Sequence, residues 1–344
     1  MENISREDLD HILENTRELW QEVRGGRIFI TGGTGFFGCW LLESFVWANE
    51  KLGLDAKALV LTRSPEAFAK KAPHLASHRS LEFLRGDVRD FTFPEGTFSH
   101  VIHAATGNDS SDPQDPLSLF EGIVKGTHQA LEFAKRCGAR KFLLTSSGAV
   151  YGKQPADLSH LPEDYVGAPE TTDPSSAYGE GKRVAEFLTA AYAEEHGFEA
   201  KIARCFAFVG PHLRLDANFA VGNFIRDALN NEPICIKGDG TPYRSYLYAA
   251  DLAIWLWTIL FKGKPCRAYN VGSDVAITIA DLAGTVAEVS QTQRAVRIAQ
   301  EPLPGKPAER YVPSIGRAQS ELGLRQNVDL REAIRRTFSW YLNG

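Results

Sequence analysis

A chain of 344 residues, 43% hydrophobic and 24% charged, can bury a substantial core and is too mixed in composition to be fibrous or disordered. Its formal net charge of −5 is spread along the sequence, with no basic run that could follow a phosphate backbone, so nucleic acid is not an expected partner. The longest apolar stretch, Leu252 to Phe261, is far short of the roughly 20 residues of a bilayer span, the five cysteines lack metal-ligand spacing, and the acidic N-terminus is unlike a secretion signal, so a reduced cytoplasm without membrane, zinc or disulfides is the expected setting.

Residues 5 to 24 read as one amphipathic helix. Ser5 followed by Asp8 is a capping pattern, and Leu9, Ile12, Leu13, Leu19, Trp20 and Val23 form a stripe at helical spacing. This arm, residues 1–26, is expected to pack on its own domain. From Arg27 short apolar runs alternate with helical patterns: RIFIT, a helix around CWLLESFVWANEKL, KALVLT, a helix near PEAFAKKA, LEFLRGD, HVIHAA, a helix through IVKGTHQALEFAKRCG, KFLLTSS, a helix in KRVAEFLTAAYAEEHG, and EAKIARCF. That alternation predicts a doubly wound parallel α/β sheet, a Rossmann domain, over residues 27–205. Past residue 206 proline and glycine become frequent, and a smaller α/β domain is expected over 206–344, with some segments returning to the first. Leu252 to Phe261 reads as a buried helix.

The first strand runs into TGGTGFFG, which places Gly32, Gly33, Gly35 and Gly38 between a strand and a helix. Glycines there permit a tight turn and let the backbone approach a pyrophosphate at a helix N-terminus. Gly32, Gly35, Phe36, Phe37 and Gly38 are therefore candidate dinucleotide contacts. The second strand ends in Thr62 and Arg63, where a free ribose 2′-hydroxyl would normally meet Asp or Glu. Arginine at that turn suits a 2′-phosphate through charge-assisted hydrogen bonds, which tilts the cofactor toward NADP over NAD.

FLLTSSGAVYG ends an apolar strand in three hydroxyls, Thr145, Ser146 and Ser147, at the edge where a parallel sheet presents ligands. Tyr178 and Lys182 follow four residues apart, a spacing that on a helix stacks phenol and ammonium on one face. Together with GDVRD (Asp87, Val88) and HAAT (Ala104, Ala105), these motifs make the chain resemble the extended short-chain dehydrogenase/reductase family from residue 27 to the C-terminus. The segments ARCFAFVGP, NFIRDALNNEPICIKGDGTPYRSYLYAADLA and AYNVGSDVAITIADLA are similar to its nucleotide-sugar epimerase, dehydratase and decarboxylase branch. The resemblance implies an enzyme with a nucleotide-diphosphate sugar as substrate. It implies Ser147, Tyr178 and Lys182 as the catalytic set, with Tyr178 and Lys182 also touching the cofactor. It places Asp87 and Val88 near the adenine, Ala104 and Ala105 along the cofactor, and Ser147, Asn223, Arg244 and Arg310 on the substrate. It further implies a homodimer built from the helices near IVKGTHQALEFAKRCG and YGEGKRVAEFLTAAYAEE.

A free tyrosine titrates near 10. Lys182 and an oxidised nicotinamide are expected to stabilise the Tyr178 phenolate, which then takes a proton from a sugar hydroxyl as hydride leaves its carbon. After Ser147 the resembling dehydratases carry Asp and Glu, and decarboxylases usually keep the Glu. Here Gly148 and Ala149 can transfer no proton. That departure favours C4 epimerisation through a 4-keto intermediate, with an NADPH-dependent 4-ketoreductase as the alternative and a 4,6-dehydratase or a non-catalytic nicotinamide-binding protein less favoured. Ala207 and Ile123 also replace asparagines usual in the family, so sugar contacts are expected to be rearranged.

Overall fold

The apolar segments that alternate with helical patterns become one seven-stranded sheet. The computed structural model describes residues 3–106, 115–217, 219–291 and 295–343. In chain order it contains α1 (Arg6–Thr16), β1 (Arg27–Thr31), α2 (Phe36–Leu52), β2 (Lys57–Thr62), α3 (Pro65–Lys71), α4 (Pro73–Ala76), β3 (Leu81–Arg85), β4 (His100–His103), α5 (Pro116–Arg136), β5 (Lys141–Ser147), α6 (Ala177–His196) and β6 (Glu199–Cys205). There follow β7 (Phe208–Val209), α7 (Ala220–Leu229), β8 (Ile234–Ile236), β9 (Tyr243–Arg244), β10 (Leu247–Tyr248), α8 (Ala249–Lys262), β11 (Ala268–Val271), β12 (Ile277–Thr278), α9 (Ile279–Ser290), β13 (Val296–Ile298), β14 (Arg310–Tyr311), α10 (Gly316–Leu322) and α11 (Leu330–Asn343).

The large sheet has the order β11-β6-β5-β4-β1-β2-β3, and each of its pairs is parallel. The chain adds β2 and β3 on one side of β1, then crosses to β4 on the other. The crevice beyond the carboxyl ends of β1 and β4 is thus a topological switch point, where open α/β sheets bind ligands. β11 comes from beyond residue 206 and completes the sheet at its far edge. α8 covers the sheet: Ala249 to Phe261 are all buried, as the apolar run at Leu252 to Phe261 predicts. Among the described residues no helix is long and apolar enough to cross a membrane. Among the described residues three small sheets lie outside the main one, and the one that matters for the site has the order β12-β9-β14.

The N-terminal arm is not one helix. α1 ends at Thr16, and Arg17–Val23 winds as a 3-10 helix. Thr16 explains the change: its hydroxyl donates to Ile12 O (2.6 Å) and accepts from the Trp20 indole (2.9 Å), which draws the chain tighter. Trp20 thereby lands 4.6 Å from Trp257 and 6.3 Å from Phe45, ring centre to ring centre. Asp8 accepts from Tyr248 at 2.8 Å and Arg336 at 2.6 Å, which fastens the arm to its own chain.

Candidate active site

The glycine-rich turn has the shape a pyrophosphate needs. Gly32 has φ +72°, and a Cβ there would lie 2.5 Å from the Ala104 carbonyl carbon. A Cβ on Gly38 would lie 2.3 Å from Gly33. Gly35 differs: its Cβ would meet only Gly32 O at 3.4 Å, so the space above it is open. Gly35 caps the 17-residue α2 without a side-chain hydrogen bond, leaving that helix's first N–H groups to an anion. Phe36 and Phe37 begin the helix, and Phe37 packs edge-on to Phe208 at 5.0 Å. The residues present therefore fit a dinucleotide.

The floor beside this turn is a buried chain of hydrogen bonds. The Ala105 N–H donates to the Thr31 hydroxyl (3.3 Å), which pairs with His103 Nδ1 (2.8 Å), while His103 Nε2 pairs with Thr127 (3.2 Å). Burial, helped by the Lys182 charge, pushes the imidazole down to about 3, so His103 is neutral and fixes the turn that carries Ala104 and Ala105. Past β3, Val88 is buried, and a Cβ on Gly126 of α5 would come within 2.9 Å of its side chain. Asp87 accepts from Arg89 Nε (2.8 Å) and Nη2 (3.0 Å), and its carboxyl is held below the usual range by Arg89 and, more weakly, Arg63, against the cost of burial.

The three strand-end hydroxyls separate by role. Thr145 donates to His103 O at 3.2 Å, and Ser146 donates to Glu186 at 2.5 Å. Ser147 alone meets the two phenols, Tyr178 and Tyr311, while its Oγ also accepts from Ala149 N at 3.1 Å. Tyr178 and Lys182 occupy the first turns of α6 on one face. Lys182 is buried, donates to Thr145 O at 2.8 Å, and lies 5.9 Å from the Tyr178 ring centre.

Burial lowers the Lys182 ammonium to about 8 and raises the Tyr178 phenol above its ordinary value, with Ser147 pulling the other way. Burial is the largest influence on this phenol, and the Lys182 ammonium donates to the Thr145 carbonyl; the lowering expected of Lys182 together with an oxidised nicotinamide concerns the site with cofactor bound. Tyr178 is thus a protonated phenol until further positive charge arrives.

On the substrate side, β14 pairs with β9 so that Tyr311 stands beside Arg244 and Arg310 beside Tyr243. Alternation along a strand sends these two pairs to opposite faces. Arg244 therefore shares the face of Tyr311 toward Ser147, whereas Arg310 lies over the Tyr243 ring at 4.0 Å and is not brought to Ser147. Asn223, in the first turns of α7, accepts from Arg226 at 3.2 Å.

Sequence reasoning missed Tyr311, although it adjoins Arg310. The only signal was strand parity, and a two-residue strand is too short to show it. Tyr311 closes the ground next to Ser147. A Cβ on Gly148 would lie 2.6 Å from its hydroxyl and 2.7 Å from the Phe206 ring, and those two rings pack 4.7 Å apart. Ile123, where the resemblance led to an expected Asn, packs into the space left by Gly181, whose Cβ would meet it at 3.2 Å.

The model of the NAD dependent epimerase/dehydratase family matches residues 28–272. UDP-glucuronic acid decarboxylase 6 of Arabidopsis thaliana is 34% identical over 310 residues, 90% of this chain and 86% of that protein. Among solved structures, UDP-glucose 4-epimerase with UDP-glucose from Thermotoga maritima aligns with a TM-score of 0.77 at 22% identity, covering 92% of this chain and 99% of that one. UDP-glucuronic acid 4-epimerase from Bacillus cereus in complex with NAD aligns at 0.76 and 21%, covering 92% and 99%.

Proposed function

Because the chain belongs to the NAD dependent epimerase/dehydratase family, we propose that this enzyme oxidises C4 of a nucleotide-diphosphate sugar and reduces the ketone on its opposite face, a C4 epimerisation. The observation that carries the reading is the sealed ground after Ser147: Gly148 lies against Tyr311 and Phe206, and Ala149 holds no proton. A 4,6-elimination needs an acid at the leaving hydroxyl and a base at C5, and neither Gly148 nor Ala149, the two residues that follow Ser147, supplies one.

The nicotinamide, when bound, supplies a reversible hydride acceptor and, oxidised, a positive charge beside the phenol. Ser147 holds the C4 oxygen in line with Tyr178, sharing a hydrogen bond with it. Tyr178, as phenolate, takes the hydroxyl proton and later returns it to the alkoxide. Lys182 keeps a cation behind that phenol, and Tyr311 excludes water from the same oxygen. Arg244 faces the sugar nucleotide from β9, and Asn223 and Arg310 are assigned to its diphosphate end. The outer faces of α5 and α6, where Leu117 is 75% exposed, are assigned to a second copy of the chain.

A second reading is favoured by the 34% identity to the decarboxylase. In a sugar with a C6 carboxylate, the C4 ketone lies β to that carboxylate, so carbon dioxide can leave without an acid beside Ser147. The residue set would serve oxidation and re-reduction unchanged. Incubation of the purified protein with UDP-glucose and UDP-glucuronic acid, followed by NMR and mass spectrometry, separates the two. A C4 epimer of unchanged mass supports epimerisation, and a product lighter by carbon dioxide supports decarboxylation. Tyr178→Phe should cost about 10³-fold in either turnover while sparing dinucleotide binding; undiminished turnover would overturn the assignment.

A further inference from the structure

We infer that Tyr311 is a positioning residue for the C4 chemistry: its hydroxyl donates to Ser147, which leaves Ser147 able only to donate, to Tyr178 or to the sugar oxygen that Tyr178 meets. The inference rests on the reading of Tyr178 as the proton-transfer group and is independent of which sugar is turned over.

The placement comes from segments far apart in the chain. β14 pairs with β9 so that Tyr311 stands beside Arg244, and the Tyr311 ring packs 4.7 Å from that of Phe206, the residue that follows β6. This packing carries the hydroxyl over Gly148. A Cβ at that position would lie 2.6 Å from the phenol oxygen, so a side chain there would evict it. Ser147 is buried at the end of β5, and both Tyr178 and Tyr311 hydrogen-bond to its hydroxyl.

A serine hydroxyl has one proton to give and two lone pairs to fill. The Ala149 N–H takes one lone pair at 3.1 Å. What remains is a lone pair and the proton, divided between two phenols. Tyr178 must be a phenolate when it takes the sugar proton, and a phenolate cannot donate. Ser147 therefore gives its proton to Tyr178, and the remaining lone pair falls to the Tyr311 hydroxyl. Tyr311 suits that part because it keeps its own proton: burial pushes its phenol well above the ordinary value. The hydrogen bonds then run from Tyr311 through Ser147 to Tyr178, each polarising the next and stabilising the negative end. Once the sugar proton has passed to Tyr178, the Ser147 proton turns to the C4 oxygen, and its filled lone pairs keep it from accepting there.

The charged and titratable groups around the trio are Lys182 of α6, with Glu186 and His103 beyond it, Cys205 of β6 and Arg244 of β9. None of these is a phenol, so a signal from tyrosinate separates Tyr178 from all of them. The experiment follows the ultraviolet absorbance of tyrosinate through a pH titration of the full-length protein, saturated with NAD or NADP, whichever it binds tighter. It compares the parent with Tyr178→Phe, Tyr311→Phe, Ser147→Ala and the double variant Tyr311→Phe, Ser147→Ala. Tyr311→Phe keeps the ring against Phe206 and removes only the hydroxyl. The ionisation that Tyr178→Phe abolishes should move up by about one pH unit in Tyr311→Phe, the effect of losing one link of the chain. In the double variant it should stand where Ser147→Ala alone puts it, because Tyr311 acts through Ser147. An ionisation unmoved or lowered in Tyr311→Phe, or shifts that add in the double variant, would overturn the inference and leave Tyr178 in place. An ionisation that survives in Tyr178→Phe, or a parent with none below the ordinary tyrosine range, would remove the reading of Tyr178 and this inference with it.

Discussion

Lys182 is held in the site at a cost to the fold. Its ammonium is buried, and the folded value of about 8 lies below the ordinary 10.5. Between those values the unfolded chain binds more protons than the folded one, so the penalty is full below about pH 8 and gone above about 10.5, and this group's contribution to stability rises with pH across that window. The shift corresponds to about 3 kcal/mol. Lys182→Met should therefore stabilise the ligand-free protein by about 2 kcal/mol at pH 7, allowing for the Thr145 carbonyl left without its donor. The gain should shrink toward pH 10.5 while turnover is lost at every pH. Denaturant unfolding at pH 7 and pH 10 checks this, and a loss of stability at pH 7 would show that the charge is stabilised where it stands. Tyr178 meets the same environment with the opposite consequence: burial keeps the phenol protonated, which suits the step that returns a proton.

At the scale of elements, His103 ties β1, β4 and α5 together through Thr31 and Thr127. Buried neutral with a value of about 3, it must stay unprotonated in the folded state, whereas the unfolded imidazole gains a proton below about 6.5. Stability from this group is fully present above 6.5 and is lost as pH falls toward 3. By pH 5 the loss is about 2 kcal/mol. His103→Gln retains amide hydrogen bonding and cannot titrate, so its unfolding free energy should fall about 2 kcal/mol less than the parent's between pH 7 and pH 5, measured by urea denaturation. An identical acid slope would place the sensitivity elsewhere.

This network also marks the limit of legibility. The strands from β1 to β6 and the helices between them were readable because both faces of a parallel sheet are covered, which makes each strand a short apolar run. The glycine turn and the pair Tyr178 and Lys182 were readable because local spacing brings them together. Tyr311 and Thr127 come to the site by long-range pairing and by helix packing, and neither leaves a periodic trace. The break at Thr16 was hidden because the apolar stripe continues through the 3-10 segment.

At the scale of the whole molecule, α5 and α6 pack on each other and leave an outer face without cover from the described residues of their own chain. Leu117, Phe120 and Val124 on α5 recur at helical spacing, as do Val184, Leu188 and Ala191 on α6, and none of them is buried. Tyr192 of α6 donates to Glu132 of α5 at 2.6 Å, which locks the two helices side by side and sets the stripes next to each other. Two adjacent apolar stripes left without cover call for a partner, and two copies related by a twofold axis would bury them with the same residues on each side. The consequence for the site is mechanical. α6 carries Tyr178 and Lys182 at one end and the apolar stripe along its length, so a bundle of four helices would hold the catalytic turn rigid. A Val124→Arg, Leu188→Glu double variant should elute at half the mass of the parent in multi-angle light scattering, with its far-UV spectrum unchanged. Its turnover should fall as the end of α6 loses support, while binding at the glycine-rich turn, which lies on the other side of β5, should be little changed. A parent that is already monomeric, or a variant that stays at the parent's mass, would assign the face to a different partner.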